Sequence, residues 1–489
     1  MDYEPVIGLE THAELLTESK LWCRCATRFG QAPNTQTCPI CLGMPGVLPV
    51  LNGRAFELAL RAAVALGCTI SRTTFFDRKN YYYPDLPKNY QVSQNYSNLG
   101  TDGRLDVPLD GTACTVGITN VHLEEDAGKN LHAERPAAAG PAGADYSLVD
   151  LNRAGVPLLE IVSAPDMHSV AEADAYMQVL RQILLYTQVS DCKMQEGSLR
   201  FEASISMRPA GTGGLGARVE IKNLNSMKAV RGALEYEIRR QSKVLAEGGK
   251  VAQETRLWDE ARSATARMRS KEEAQDYRYF PEPDLLPVQV TDEMIERVRS
   301  ELPELPLARR RRFVEALGLS EYEAQVLTDD PAVAAYFEAC LRFYDAPKSI
   351  ANWIMNVVLG QLNERGISIK EFELTPARTA AFVKLLVEGT VNAQGGRDFV
   401  RAIANGLKVT DDVTATVANL GLEQISDEGA LAPVVDEVLA KNEKMAQDYL
   451  GGKQAALGAL VGQVMRATRG KADPKLVNQL LRRKLDAMR

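Results

Sequence analysis

The sequence predicts an α+β protein in which a mixed, largely antiparallel sheet forms the first domain and helices fill the rest. Three observations carry this. Residues 199–208 and 218–222 alternate strictly between apolar and polar side chains, the period of half-buried strands. The turn-rich segment 209–216 joins these two runs as a hairpin loop. From about residue 294 strand signals stop and helical periodicity continues to the end, with Pro303 and Pro306 suited to a linker.

The opening run, residues 6–14, reads as a strand. Alternation puts Glu10, His12 and Glu14 on one face and Ile7, Leu9, Thr11 and Ala13 on the other. A carboxylate and an imidazole two residues apart form a compact oxygen and nitrogen ligand pair for a divalent metal. A solvated polar edge is the competing reading, and Glu14 reads as an exposed acid.

Cysteine spacing is the next signal. Cys23-Arg24-Cys25 is followed, after twelve residues, by Cys38-Pro39-Ile40-Cys41, and Gly43 and Gly46 let the chain turn back. Two close thiol pairs can close a tetrahedral four-cysteine zinc site, the competing reading being four free thiols in a loop. A redox role fits poorly, because prolines and glycines replace the helix that such a motif opens. Cys68, Cys114, Cys192 and Cys340 stand alone and read as small core residues.

Residues 53–66 form a short amphipathic helix stopped by Gly67. Residues 75–90 mix Lys79 and Lys88 with five aromatic rings before Tyr90 and two prolines. Such a segment can stack a base and hold phosphate charge, or form a rigid aromatic loop on the core. Residues 116–126 begin as a strand and end in Glu124-Glu125-Asp126. Gly128-Lys129 is not a phosphate-binding loop, because no glycine stands at position 123. Residues 133–145, rich in Ala, Gly and Pro, read as a flexible surface loop. Residues 157–162 are a buried-type strand with one carboxylate, Glu160, and a charge there needs a partner or a metal. Ser169 and Glu172 predict a capping box for a helix to about Thr187. The glycine pattern in 211–216 is not a dinucleotide fingerprint, since a strand follows it. The hairpin brings Glu202 and Glu220 close on one polar face, where they repel unless a cation or proton lies between them. A helix is expected over 223–249.

The formal charge of −7 excludes a uniformly basic nucleic-acid coat. Residues 453–489, however, hold nine Lys/Arg against two Asp, a local +7 that suits a nucleic-acid arm. No apolar run approaches about 18 residues, so no membrane span is expected. The N-terminal residues fit no signal peptide, and eight cysteines without secretory features suit a reducing, cytoplasmic setting. The strand-borne acids suit an oxygen-rich magnesium site that binds a nucleotide's phosphates.

Six runs of this sequence resemble one family closely. They begin at Val6-Ile7-Gly8-Leu9-Glu10-Thr11-His12, Cys38-Pro39-Ile40-Cys41, Tyr83-Pro84-Asp85-Leu86-Pro87-Lys88, Leu123-Glu124-Glu125-Asp126, Val219-Glu220-Ile221-Lys222-Asn223 and Asp276-Tyr277-Arg278-Tyr279-Phe280. The family is that of the B subunits (GatB) of glutamyl/aspartyl-tRNA amidotransferases, and the resemblance covers essentially the whole chain.

The resemblance implies a cradle domain over residues 1–293, a helical domain over 294–408 and a YqeY-like helical tail over 409–489. It implies use of ATP and Mg2+ to phosphorylate the side-chain carboxylate of Glu on tRNA(Gln) or Asp on tRNA(Asn). Ammonia from glutamine, released in an amidase partner (GatA) and channelled across, then gives the amide, and a small third partner (GatC) belts the two together. Carried over by motif, Glu10, His12, Glu125 and Glu160 resemble metal ligands. Glu202 and Glu220 then bind or orient a second ion, and Lys79 and Lys88 line the phosphate site or channel mouth. The motif does not separate Glu124 from Glu125. Phe201-Glu202 stands where the family commonly has Cys-Asp, so that carboxylate is one methylene longer. Residues 133–145 resemble an insertion. Some relatives lack the cysteines, so zinc is not needed for the chemistry. Two other classes fit the same residues: a non-catalytic tRNA-binding zinc scaffold and a metal-dependent phosphoesterase.

Overall fold

A computed structural model describes residues 3–109, 112–132, 146–270 and 276–488. The expected loop at 133–145 lies outside the described residues. The chain divides into two compact units, Met1–Pro306 and Leu307–Arg489.

The first unit is organised around the opening strand, Tyr3–Glu14, which lies inside a nine-stranded sheet. On one side it pairs antiparallel with Leu199–Pro209, and on the other with Pro157–Ser163. Thr112–Glu125 and then Gly100–Leu109 continue the sheet beyond Pro157–Ser163. Val219–Leu224 follows Leu199–Pro209 through the expected hairpin. Next comes Glu254–Asp259, parallel to Val219–Leu224. A parallel pair needs a crossover, and the helix Met227–Ala246 supplies it.

Alternation along the opening strand is as its side chains dictate. Ile7, Leu9, Thr11 and Ala13 are at most 1% exposed, while Glu10, His12 and Glu14 stay half-buried. Burial of Ile7 and Leu9 contributes about 2 kcal/mol each. The helix Val170–Tyr186 packs on Gly100–Leu109 and Met227–Ala246 packs on Leu199–Pro209. Helix Gly53–Ala65 starts on Asn52, whose side chain accepts the amides of Arg54 and Ala55.

Two local expectations change. Ser169 caps its helix by accepting the Glu172 amide, but the Glu172 carboxylate accepts from the His168 amide rather than closing the box. The helix expected from 223 begins only at Met227, because residues up to Leu224 remain in the sheet and Ser226 is the cap. Asn223, at φ 65°, turns its side chain to the Trp258 carbonyl.

Short strands hold both ends of the aromatic and basic run at 75–90. Asp77–Asn80 lies between Tyr90–Ser93 and Phe280–Pro281 in a small sheet. Arg78 grips Glu282 through two 2.7 Å bonds and lies 4.3 Å over the Tyr90 ring.

The second unit is helical among its described residues. One core gathers Phe313, Phe337, Trp353, Phe382 and Phe399, with the last two rings stacked at 4.1 Å. Another gathers Leu431, Val435, Leu460, Leu480 and Leu485. Of the nine basic residues after 452, Lys453, Arg483 and Lys484 pair with Asp448, Glu428 and Asp436.

Candidate metal centre and its surroundings

Strand register assembles the centre. His12 lies opposite Glu160 on one neighbouring strand and opposite Arg200 on the other. Glu160 in turn lies opposite His122. One row across four strands therefore reads His122, Glu160, His12, Arg200, and side chains in such a row share a face. Glu124 is two residues beyond His122 and joins the same face.

Ligand atoms of His12, Glu124 and Glu160 lie within 4.8 Å of one another. His12 Nε2 is 3.1 Å from Glu160 Oε2 and 3.7 Å from Glu124 Oε1. Adjacent ligands of an octahedral ion at about 2.1 Å are separated by about 3.0 Å, so the set fits three positions around a small divalent cation. His122 Nε2 stands 3.8 Å from Glu124 and 3.7 Å from Glu160. Its Nδ1 is 3.0 Å from Asn120 Oδ1, which orients the ring with Nε2 toward the carboxylates.

The electrostatics match a cation site. Burial lowers the pKa of His12, but the hydrogen bond to Glu160 and the charges of Glu160 and Glu124 outweigh it and raise the net value. Burial would raise Glu160, yet His122 and His12 hold its carboxyl well below the usual range. Lys79 lies 5.1 Å over the Tyr277 ring. Its burial is outweighed by Glu124 first, so its ammonium is held above the ordinary lysine value.

The other candidates are placed differently. Glu125 takes the opposite phase to Glu124, as neighbours on a strand must. It bonds the Lys88 ammonium and accepts the Val92 amide at 2.8 Å. The cluster thus receives Glu124 where the motif offered Glu125, and Lys88 is held by Glu125. Glu10 shares the face of His12 but bonds Arg218 at 3.3 Å. Burial, then the carboxylates of Glu160 and Glu202, raises its pKa. Glu202 bonds Lys222 at 2.6 Å and Glu220 bonds Arg218 at 2.8 Å, so protein cations relieve the repulsion of those acids. Glu14 is not the exposed acid expected. It is half-buried, and burial together with Asp126 pushes its carboxyl up to about 8.

Sequence reasoning missed His122, Asp126 and Arg200. Asp126 is 4% exposed and bonds Arg200 at 2.7 Å. A signal was present: His122-x-Glu124-x-Asp126 repeats the alternating acid and imidazole spacing of Glu10-x-His12-x-Glu14.

A cleft of about 800 Å3 opens beside the cluster, lined among others by Glu14, Arg28, Lys129, Arg153, Arg200 and Asn225. Its lining mixes these bases with the acids Asp150, Glu196 and Glu202.

The four knuckle cysteines also converge. The Sγ atoms of Cys23, Cys25, Cys38 and Cys41 lie within 4.8 Å of one another, and Cys38 to Cys41 is 3.9 Å. Tetrahedral zinc with Zn–S of about 2.3 Å needs sulfurs about 3.8 Å apart, so this donor set fits zinc. The Cys23 hydrogen bond, the Cys38 amide and the Lys20 charge hold the Cys41 thiol down at about 5 despite its burial. Gly43, at φ +65°, presses on Lys88: a Cβ there would lie 2.5 Å from Lys88 Cγ.

Among the described residues, no helix is long and apolar enough to cross a membrane. Residues 5–296 match the family model of the GatB/GatE catalytic domain, and residues 335–485 match that of the GatB domain. The B subunit of the aspartyl/glutamyl-tRNA(Asn/Gln) amidotransferase from Thermoanaerobacter pseudethanolicus is 50% identical over 99% of this chain and 100% of its own. Its namesake from Carboxydothermus hydrogenoformans is 51% identical over 99% of both chains. That of Geotalea uraniireducens is 49% identical over 99% of this chain and 100% of its own. With the sheet-borne cluster, the cysteine knuckle and the helical second unit, these matches show that the chain belongs to the family of amidotransferase B subunits with the GatB/GatE catalytic domain.

Proposed function

We propose that the chain is the carboxylate-activating component of a tRNA-dependent amidotransferase, working with an amidase partner (GatA) and a small third partner (GatC) in the cytoplasm. Its substrates are ATP and Glu-tRNA(Gln) or Asp-tRNA(Asn). The observation that carries this is the convergence of His12, Glu124 and Glu160 beside Lys79.

A carboxylate is a poor acyl donor. One of its oxygens attacks the γ-phosphorus of ATP, ADP leaves, and an acyl phosphate forms. Ammonia nitrogen then attacks the carbonyl carbon, the C–O bond to phosphate breaks, and nitrogen gives up one proton. Phosphoryl transfer needs positioning and charge stabilisation more than a protein nucleophile. His12, Glu124 and Glu160 are the residues that would hold Mg2+, which when bound neutralises charge between the β- and γ-phosphates. Lys79 and Arg200 supply fixed positive charge at the same face. Glu125 holds Lys88 in place. Zinc in the four-cysteine knuckle is structural, and the basic C-terminal segment binds the tRNA body.

The test uses the reconstituted complex with free ammonium as nitrogen source, which bypasses glutamine hydrolysis. Glu124→Gln and His12→Ala should abolish phosphate transfer from ATP and amide formation on Glu-tRNA. Normal amidation by either variant would sink the reading.

A further inference from the structure

Lys20 is a buried charge whose Nζ has no carboxylate among its hydrogen-bond partners in the described residues. It is 1% exposed, and among the described residues its Nζ has two polar neighbours, Cys41 Sγ at 3.7 Å and the Leu151 carbonyl at 3.3 Å. An ammonium removed from water needs an anion, since a carbonyl alone does not restore what hydration supplied. The Cys41 thiolate provides one, and four thiolates around a divalent ion carry a net charge of about −2, part of which faces Lys20.

We propose that Lys20 is the outer counter-charge of the four-cysteine centre. Its ammonium donates to the Cys41 thiolate and the Leu151 carbonyl and cancels part of the centre's negative charge. This rests on the zinc reading of the knuckle. The backbone on either side of Lys20 is fixed by hydrogen bonds. The Lys20 amide donates to the Cys25 carbonyl at 2.9 Å, and the Leu21 amide to the Gly155 carbonyl at 2.8 Å. Gly155, at φ +85°, packs between them: a Cβ there would lie 3.6 Å from Cys41 Cβ and 3.7 Å from Lys20 Cδ. Lys20 is thus a positioning residue for the metal, pinned by the loop that carries Leu151 and Gly155.

The experiment compares the full wild-type chain with Lys20→Met, a neutral side chain of similar length. Both are loaded with zinc, and metal release to excess EDTA is followed. Release from the variant should be faster by about tenfold or more, the usual consequence of losing an outer partner of a metal ligand. In cobalt-loaded protein the thiolate-to-metal charge-transfer band should move to longer wavelength, because the donor sulfur is no longer stabilised by a cation. Lys20→Arg, which keeps the charge, should release zinc at the wild-type rate, and Lys20→Gln serves as a second neutral variant if Lys20→Met does not fold. One equivalent of zinc in every protein, with equal release rates and unmoved bands, overturns the proposal. Equal acceleration by Arg and Met overturns it too, since packing rather than charge would then be responsible. Absence of stoichiometric zinc from the wild type overturns the zinc reading itself, which metal analysis distinguishes from the other outcomes.

Discussion

His12 Nε2 and Glu160 Oε2 stand 3.1 Å apart on adjacent antiparallel strands, directly opposed in register although 148 residues separate them. The bond is held by the sheet rather than by a loop, so its geometry is stiff. Replacing Glu160 by Gln keeps the shape and removes the charge. Phosphate transfer from ATP should fall by about 100-fold or more, and the metal concentration giving half-maximal rate should rise. The melting temperature should change little. Initial rates across a magnesium titration check both.

Glu124 and Glu125 are adjacent but face different partners. Glu124→Gln should damage catalysis while leaving stability nearly intact. Glu125→Gln should do the reverse first, because it leaves the Lys88 ammonium without its anion. Breaking a largely buried pair from one side costs about 3 kcal/mol, and Lys88 and Glu125 side chains are 11% and 3% exposed. Urea denaturation and ammonium-dependent amidation, run side by side, separate the two effects.

Far from the centre, Glu237 is fully buried and accepts from Arg240, Gln241 and Thr265. Burial alone would raise its carboxyl, but these bonds outweigh it and hold the group below its ordinary value of 4.5. A depressed carboxyl stabilises the fold at all pH values above about 4.5. That contribution is lost as pH falls below the unfolded value and through the folded one. Glu237→Gln should cost about 2 kcal/mol at neutral pH. It should also flatten the acid limb of the first unit's stability curve, measured by urea midpoints at successive pH values.

Gly43→Ala probes the seam between the knuckle and Lys88. The substitution meets a left-handed backbone and places a methyl 2.5 Å from Lys88 Cγ. A loss of about 2 kcal/mol is expected, with a parallel fall in amidation as Lys88 is displaced. Thermal melts and ammonium-dependent rates test it.

Much of the fold was legible. The face of the opening strand, the 209–216 hairpin and the helix after Ser169 follow from alternation and capping, which are local. The chemistry of Glu160 was legible as a charge in an apolar run needing a partner. What was not legible is register between strands distant in sequence. Nothing local says that Arg200 and Glu160 flank His12, or that Lys222 and Arg218 lie against Glu202 and Glu220. That Glu124 rather than Glu125 faces His12 was within reach, because His122 sets the phase of that strand.

The position of the opening strand has a consequence for synthesis on the ribosome. Its two neighbours, Pro157–Ser163 and Leu199–Pro209, come much later in the chain. At about 5–20 residues per second, the stretch through residue 209 takes about 10 to 40 s to make. Until residue 163 is made this strand has neither edge covered, and until residue 209 is made one edge stays open. The nascent chain therefore carries an uncovered apolar strand until its neighbours are made, and chaperone occupancy of that segment is the natural companion of such a topology.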